Sequence, residues 1–203
     1  MTDIAPPPDL VVFLEPARGY DARLGYAASL AKLWRAHLIA TFVARELVLE
    51  PYGGFAVGAA LENMLAVYSK AAAESVAKAR GDFEMLVRNR SFSSEWRVSD
   101  NEDSEALMLH ARHAGLGILG PPADQRSRIT RLGLSEHFIF ESGRPCLLLP
   151  ERWPQDRMAR CIVVGWNGGR EAARTIADAM PFLAAADAVH LVVVPEGRPR
   201  GRY

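Results

Sequence analysis

Between Gly115 and Pro150 the chain reads GLGILGPPADQRSRITRLGLSEHFIFESGRPCLLLP. A short apolar run, Leu116–Leu119, stops at Gly120. An arginine-bearing loop follows, then a helical segment near Arg131–Ser142 and a second apolar run, Cys146–Leu149. Short apolar runs bounded by glycine and proline predict strands, so the stretch is a β-loop-α-β unit. Two parallel strands joined in this way need a crossover helix, which restricts the chain to an α/β sheet with helices on its faces. In an open sheet of that kind small ligands sit beyond the carboxyl ends of the strands, where a helix start offers free N–H groups to an anion. A nucleotide, if one is bound, is expected here.

Upstream the same grammar repeats. Leu10–Leu14 is a continuous apolar run stopped by Glu15-Pro16, as in a strand buried on both faces. Tyr20, Leu24, Ala28, Ala31 and Trp34 recur at spacings of three or four and predict an amphipathic helix, and His37–Val43 is the next strand. The segment Glu46–Gly58, with Pro51 and Gly53-Gly54, has the composition of a loop over a strand end. Helical spacing from Leu61 through Leu65, Tyr68, Ala72, Val76, Ala79 and Phe83 to Leu86 predicts a long second helix over roughly residues 58–89. Ser93–Val98 is the third strand. Asp100, Glu102, Asp103 and Glu105 then put negative charge at the start of a helix reaching about Ala114, where the helix dipole favours it. This order predicts a doubly wound, five-stranded parallel sheet within a domain over residues 1–150, with Leu10–Leu14 as its central strand.

Beyond Pro150 the beginning of the chain is echoed. Ile162–Asn167 (IVVGWN) matches Leu10–Glu15 (LVVFLE), and Val189-His190-Leu191 matches Ala36-His37-Leu38. Asn167 follows Glu15 by 152 residues and His190 follows His37 by 153, with a helical segment, Arg170–Ala185, between the two matches. A repeat of one domain length is expected, of which residues 160–203 carry only the first βαβ part. So short a segment cannot close a core of its own. Its apolar strand edge is expected to be covered by a second copy of the chain, making a homodimer.

Composition removes several function classes. Lys+Arg and Asp+Glu are equal at 24 each, so no basic excess points to nucleic acid or to anionic lipid. No apolar run approaches the roughly 20 residues of a membrane span, and the N-terminal MTDIAPPPDL lacks the pattern of a signal peptide. Cys146 and Cys161 lie in apolar runs with no C-x-x-C spacing. They are expected to be reduced and buried, which suits the cytoplasm.

The layout resembles the universal stress protein family, whose nucleotide-binding members carry G-x2-G-x9-G-[ST] between the fourth strand and the last helix. On that pattern Gly120 is the first glycine and Gly133 the third, while Ala123 replaces the second glycine and Leu134 the hydroxyl residue. Ala123 brings a Cβ where close backbone approach is needed, Leu134 offers no hydroxyl to a phosphate, and Pro121-Pro122 removes two N–H donors. Tandem members of the family hold two fused domains. Their likeness extends here to Trp166–Arg174 and to Ser104-Glu105-Ala106-Leu107. The resemblance implies a stress-response or signalling protein acting by dimerisation and binding, with a degenerate nucleotide site. No cofactor is expected under that reading. The alternative is an ATP-binding protein, with Mg²⁺, of slow or no ATPase activity.

The candidate site residues follow from the same alignment. Glu15 takes the place of an aspartate that contacts adenosine in the family, Val43 would line an adenine pocket, and Arg126, Arg128 and Arg131 could pair with phosphate oxygens. The alternatives are a solvated acid, an ordinary core valine and a solvated basic loop. His110 and His113 share a helix face at metal-pair spacing but lack a third ligand nearby. No nucleophile elbow, HExxH or Walker loop is present, and neither cysteine has a neighbour that would activate a thiolate, so nothing here marks an enzyme.

Overall fold

The computed structural model describes residues 5–14, 22–44, 59–100, 104–121, 134–150, 152–154 and 156–193. The chain divides into two compact units, one of Pro7–Asp156 and one of Met1–Pro6 with Arg157–Tyr203.

In the larger unit the elements alternate as β1 (Asp9–Leu14), α1 (Ala22–Trp34), β2 (His37–Ala44), α2 (Ala59–Val87), β3 (Ser94–Asp100), α3 (Ser104–Arg112), β4 (Leu116–Leu119), α4 (Leu134–Glu141) and β5 (Cys146–Leu148). The five strands are all parallel, in the order β3-β2-β1-β4-β5. The central place of β1 follows from its composition, since Leu10–Leu14 has no polar side to turn to water and is at most 3% exposed.

Alternation along the strands sorts the side chains into two layers. Val11 and Phe13 of β1, Ile39 and Val43 of β2 and Leu119 of β4 form one core with Met108 and Ala111 of α3 and Phe138 of α4. On the opposite face Trp96 of β3 stacks between Phe42 of β2 and Phe83 of α2, with ring centroids 6.2 and 5.5 Å apart. Gly117 admits the Phe138 ring against β4, because a Cβ there would lie 2.2 Å from the ring's Cζ. Phe138 in turn meets the edge of Phe13 at 5.8 Å.

The long second helix forms as its spacing predicts, yet the apolar stripe is covered only in part. Phe83 is buried, whereas Leu65, Val67 and Tyr68 in the first half are exposed, Tyr68 by 51%. Twenty-nine residues rise about 44 Å, longer than the strands beneath, so both ends of such a helix cannot lie on the sheet.

At the β3 edge, Arg97 binds Glu95 through both carboxylate oxygens at 2.8 Å and reaches Nδ1 of His110 on α3 at 3.1 Å. A guanidinium has only donors, so His110 accepts through Nδ1 and is held neutral. Burial and then the Arg97 charge push the His110 pKa below its ordinary value of 6.5. The unfolded chain takes up this proton first as the pH falls. The stability that His110 contributes is therefore complete above pH 6.5 and is lost as the pH falls through the lower folded value. We expect Tm to drop between pH 7.5 and 5.5 more in the native protein than in His110→Gln, which keeps an acceptor without titrating. An equal or larger drop in the variant, measured by circular dichroism, would contradict this account.

The smaller unit contains β6 (Cys161–Trp166), α5 (Arg170–Leu183) and β7 (Ala188–Val193). β6 and β7 pair in parallel from Cys161↔Ala188 to Trp166↔Val193. The turn into α5 uses Gly168 at φ +80°, and Asn167 Oδ1 accepts from the Gly169 N–H at 2.9 Å. Burial alternates along β6, with Ile162, Val164 and Trp166 half-covered and Cys161, Val163 and Gly165 exposed, and α5 buries no residue fully. Of the two thiols expected to be buried, Cys146 is half-buried against the core and its pKa is raised by desolvation. Cys161 corrects the expectation. It is exposed because it stands on the side of a two-stranded sheet away from the half-covered residues.

Among the described residues no helix is long and apolar enough to cross a membrane.

Candidate functional site

β1 and β4 are neighbours in the sheet, but the chain leaves them for opposite faces, to α1 after β1 and to α4 after β4. That reversal opens a crevice at the carboxyl ends of the two strands, the usual ligand position in an open parallel sheet.

Gly120 is the first residue beyond β4 and stands at this crevice, buried. Two side chains close on it. From α4, the buried Ser135 hydroxyl donates to the Gly120 carbonyl at 2.9 Å, tying the first turn of that helix to the strand end. From α1, Arg23 lies over the glycine, and a Cβ at residue 120 would come within 2.8 Å of Nη1. Alternation places that side of Gly120 with Ile118, away from Leu119 and the core around Phe138. The strand end thus has a neutral donor on one side and a guanidinium on the other.

The residues proposed from the sequence meet different fates. Gly120 is at the crevice. Val43 is buried among Ile39, Phe13 and Met108, and so is part of the core. Leu134, aligned with the family's hydroxyl position, packs its half-buried side chain against that same core. Pro121 follows Gly120 and has no N–H to give. Glu15, Ala123, Arg126, Arg128, Arg131 and Gly133 lie outside the described residues.

Two residues of the crevice were not anticipated. Ser135 adjoins the family's hydroxyl position, and a serine one step from that position was the available signal. Arg23 had none, because only the crossover brings the first turn of α1 to the end of β4. On the neighbouring strand, Thr41 is fully buried beside Phe13 and Arg97, and its hydroxyl has no hydrogen-bond partner among the described residues. His110 is engaged with Arg97, and among the described residues no group of three His, Cys, Asp or Glu side chains could hold a metal ion.

No protein-family model matches the chain, and no curated protein matches it. Solved structures do. A universal stress protein from Archaeoglobus fulgidus DSM 4304 superposes with a TM-score of 0.62 at 14% identity, over 94% of this chain and 67% of its own. Universal stress protein UspA from Lactobacillus plantarum gives a TM-score of 0.48 at 17% identity, over 71% of this chain and 97% of its own. The universal stress protein from Archaeoglobus fulgidus in complex with dAMP gives 0.40 at 16% identity, over 71% and 98%.

Proposed function

We propose, from the universal stress protein fold that this chain has, that it is a stress-response protein of that family, acting by binding and self-association, with a degenerate nucleotide site between β1 and β4. The observation that carries the reading is Gly120, buried at the strand end between Ser135 and Arg23. Two positions support the degenerate reading: Leu134 packs its side chain against the core and Pro121 lacks an N–H donor. At these two positions a nucleotide would find, respectively, no hydroxyl and no backbone donor. Among the described residues of the crevice none activates a water or a nucleophile, which supports a binding protein with ATP turnover slow or nil.

Weak binding is the expected outcome of titrating ligand-free protein with ATP and Mg²⁺ in a calorimeter. A Kd on the order of 100 µM, about 5.5 kcal/mol, would suit a crevice that keeps two of the motif's three glycines, Gly120 and Gly133, and has Arg23 at the strand end. Absence of binding up to millimolar ATP would sink the nucleotide reading and leave self-association as the function.

Self-association rests on the smaller unit. Val163, Leu191 and Val193 are each at least 60% exposed on a parallel sheet, a type normally covered on both faces. A homodimer is the form we propose, and light scattering at micromolar concentration is expected to give twice 22.3 kDa. The same unit supports a tandem reading. β6 and β7 pair in parallel with α5 between them in the chain, as β1 and β2 do with α1, and the 94% match is a larger share of the chain than residues 7–156 alone supply. A cytoplasmic location accompanies this proposal.

A further inference from the structure

We infer that Arg23 is the phosphate-recognising residue of the crevice, and that its guanidinium takes over the work of the hydroxyl and amides that the loop has lost. The inference rests on the nucleotide reading above and names what selects the ligand there: an anionic phosphate group, met by a charge from α1.

Three observations converge on Arg23. Its guanidinium lies at the carboxyl end of β4, where the missing side chain of Gly120 leaves room for it, within 2.8 Å of the position a Cβ would take. The crevice is the switch point of the sheet, so a ligand between β1 and β4 passes this group. Among the described residues, the motif's other groups at the crevice are placed elsewhere or lack a donor. Ser135 donates its hydroxyl to the Gly120 carbonyl, Leu134 is turned to the core, Pro121 has no N–H, and the first turn of α4 already carries the carboxylate of Glu136. A phosphate needs donors and positive charge, and a planar guanidinium supplies both, in a fork that matches two phosphate oxygens.

Gly120 acquires a second role from this arrangement. In the family motif a glycine admits the phosphate to the backbone. Here it also admits the arginine, so Gly120→Ala would push the guanidinium away from the strand end without removing its charge. The far end of an arginine side chain moves easily, so stability should change little while phosphate recognition suffers.

The test compares AMP with adenosine by calorimetric titration, at low and at physiological salt, in the full chain and in Arg23→Ala, Arg23→Lys and Gly120→Ala. In the native protein AMP should bind about tenfold more tightly than adenosine at low salt, with the margin shrinking as salt is added. Arg23→Ala should bring the two affinities together while leaving that for adenosine in place. Arg23→Lys should keep part of the margin, and Gly120→Ala should reduce it in a protein whose thermal unfolding matches the native. Should Arg23→Ala fail to fold, Gly120→Ala and Arg23→Lys decide the matter alone. A margin that persists in the variants, or a native protein that binds adenosine and AMP equally, overturns the role of Arg23 and leaves the nucleotide reading standing. A native protein that binds neither compound overturns both.

Discussion

Gly117→Ala is expected to lower the free energy of unfolding by about 3 kcal/mol or more, a large effect for one methyl group. The added Cβ would stand 2.2, 2.6 and 2.9 Å from three atoms of the Phe138 ring. Neither side can yield cheaply. The glycine is in β4, hydrogen-bonded between β1 and β5, and the ring is fully buried against Phe13 in the core that α3 and α4 share with the sheet. Phe138→Ala should itself cost about 3–5 kcal/mol through the cavity it leaves. In the double variant the new methyl group occupies part of that cavity, so the combined loss should fall short of the sum by at least about 1 kcal/mol. Urea unfolding of the four proteins measures the cycle. A Gly117→Ala protein within about 0.5 kcal/mol of the native, or strict additivity, would show that the contact with Phe138 is not what requires glycine at this position.

The second large effect separates the two units. Amide hydrogens of β1, β2 and β4 should exchange at least about a hundredfold more slowly than those of β6 and β7 when the protein is dilute. In β1 every residue from Leu10 to Leu14 is essentially inaccessible and the strand is flanked on both edges. In the smaller unit two strands share one ladder and α5 buries no residue. A groove of about 140 Å³ is left between β6 and α5, lined by Ile162, Val164, Ala172, Ile176 and Leu183 among others. A pair of strands with so little burial opens locally at small cost. Mass spectrometry after deuterium labelling reads both units in one experiment. Equal protection in dilute solution would refute the account, and protection of β6 and β7 that rises with protein concentration would show a second copy covering them, as the proposed dimer requires.

Much of the architecture was legible in the chain because strands and helices announce themselves locally. A five-residue apolar run with no polar side has few places to go but the middle of a parallel sheet, and Leu10–Leu14 is there. The spacing from Leu61 to Leu86 could only be helical, and α2 spans Ala59–Val87. The echo of Leu10–Glu15 in Ile162–Asn167 led to a second β-α-β in parallel register. Each of these signals lies within one element and depends on which way successive side chains point, a property of the local backbone.

Contacts across elements carried no such signal. Arg23 and Gly120 meet because the sheet reverses its winding between β1 and β4, and Gly117 must be glycine because Phe138 returns from the other side of a crossover. Leu134, which alignment alone placed at a phosphate, belongs to the core, since α4 turns that residue inward and leaves Ser135 at the strand end. The spacing of Leu65 and Tyr68 showed a stripe but not its cover, because burial depends on how far the sheet extends beneath the helix. Sequence by itself determined the type and order of the elements, through the periodicity of apolar residues. Only the tertiary structure decided which side chains share the crevice, since strand order and crossover bring together groups far apart along the chain.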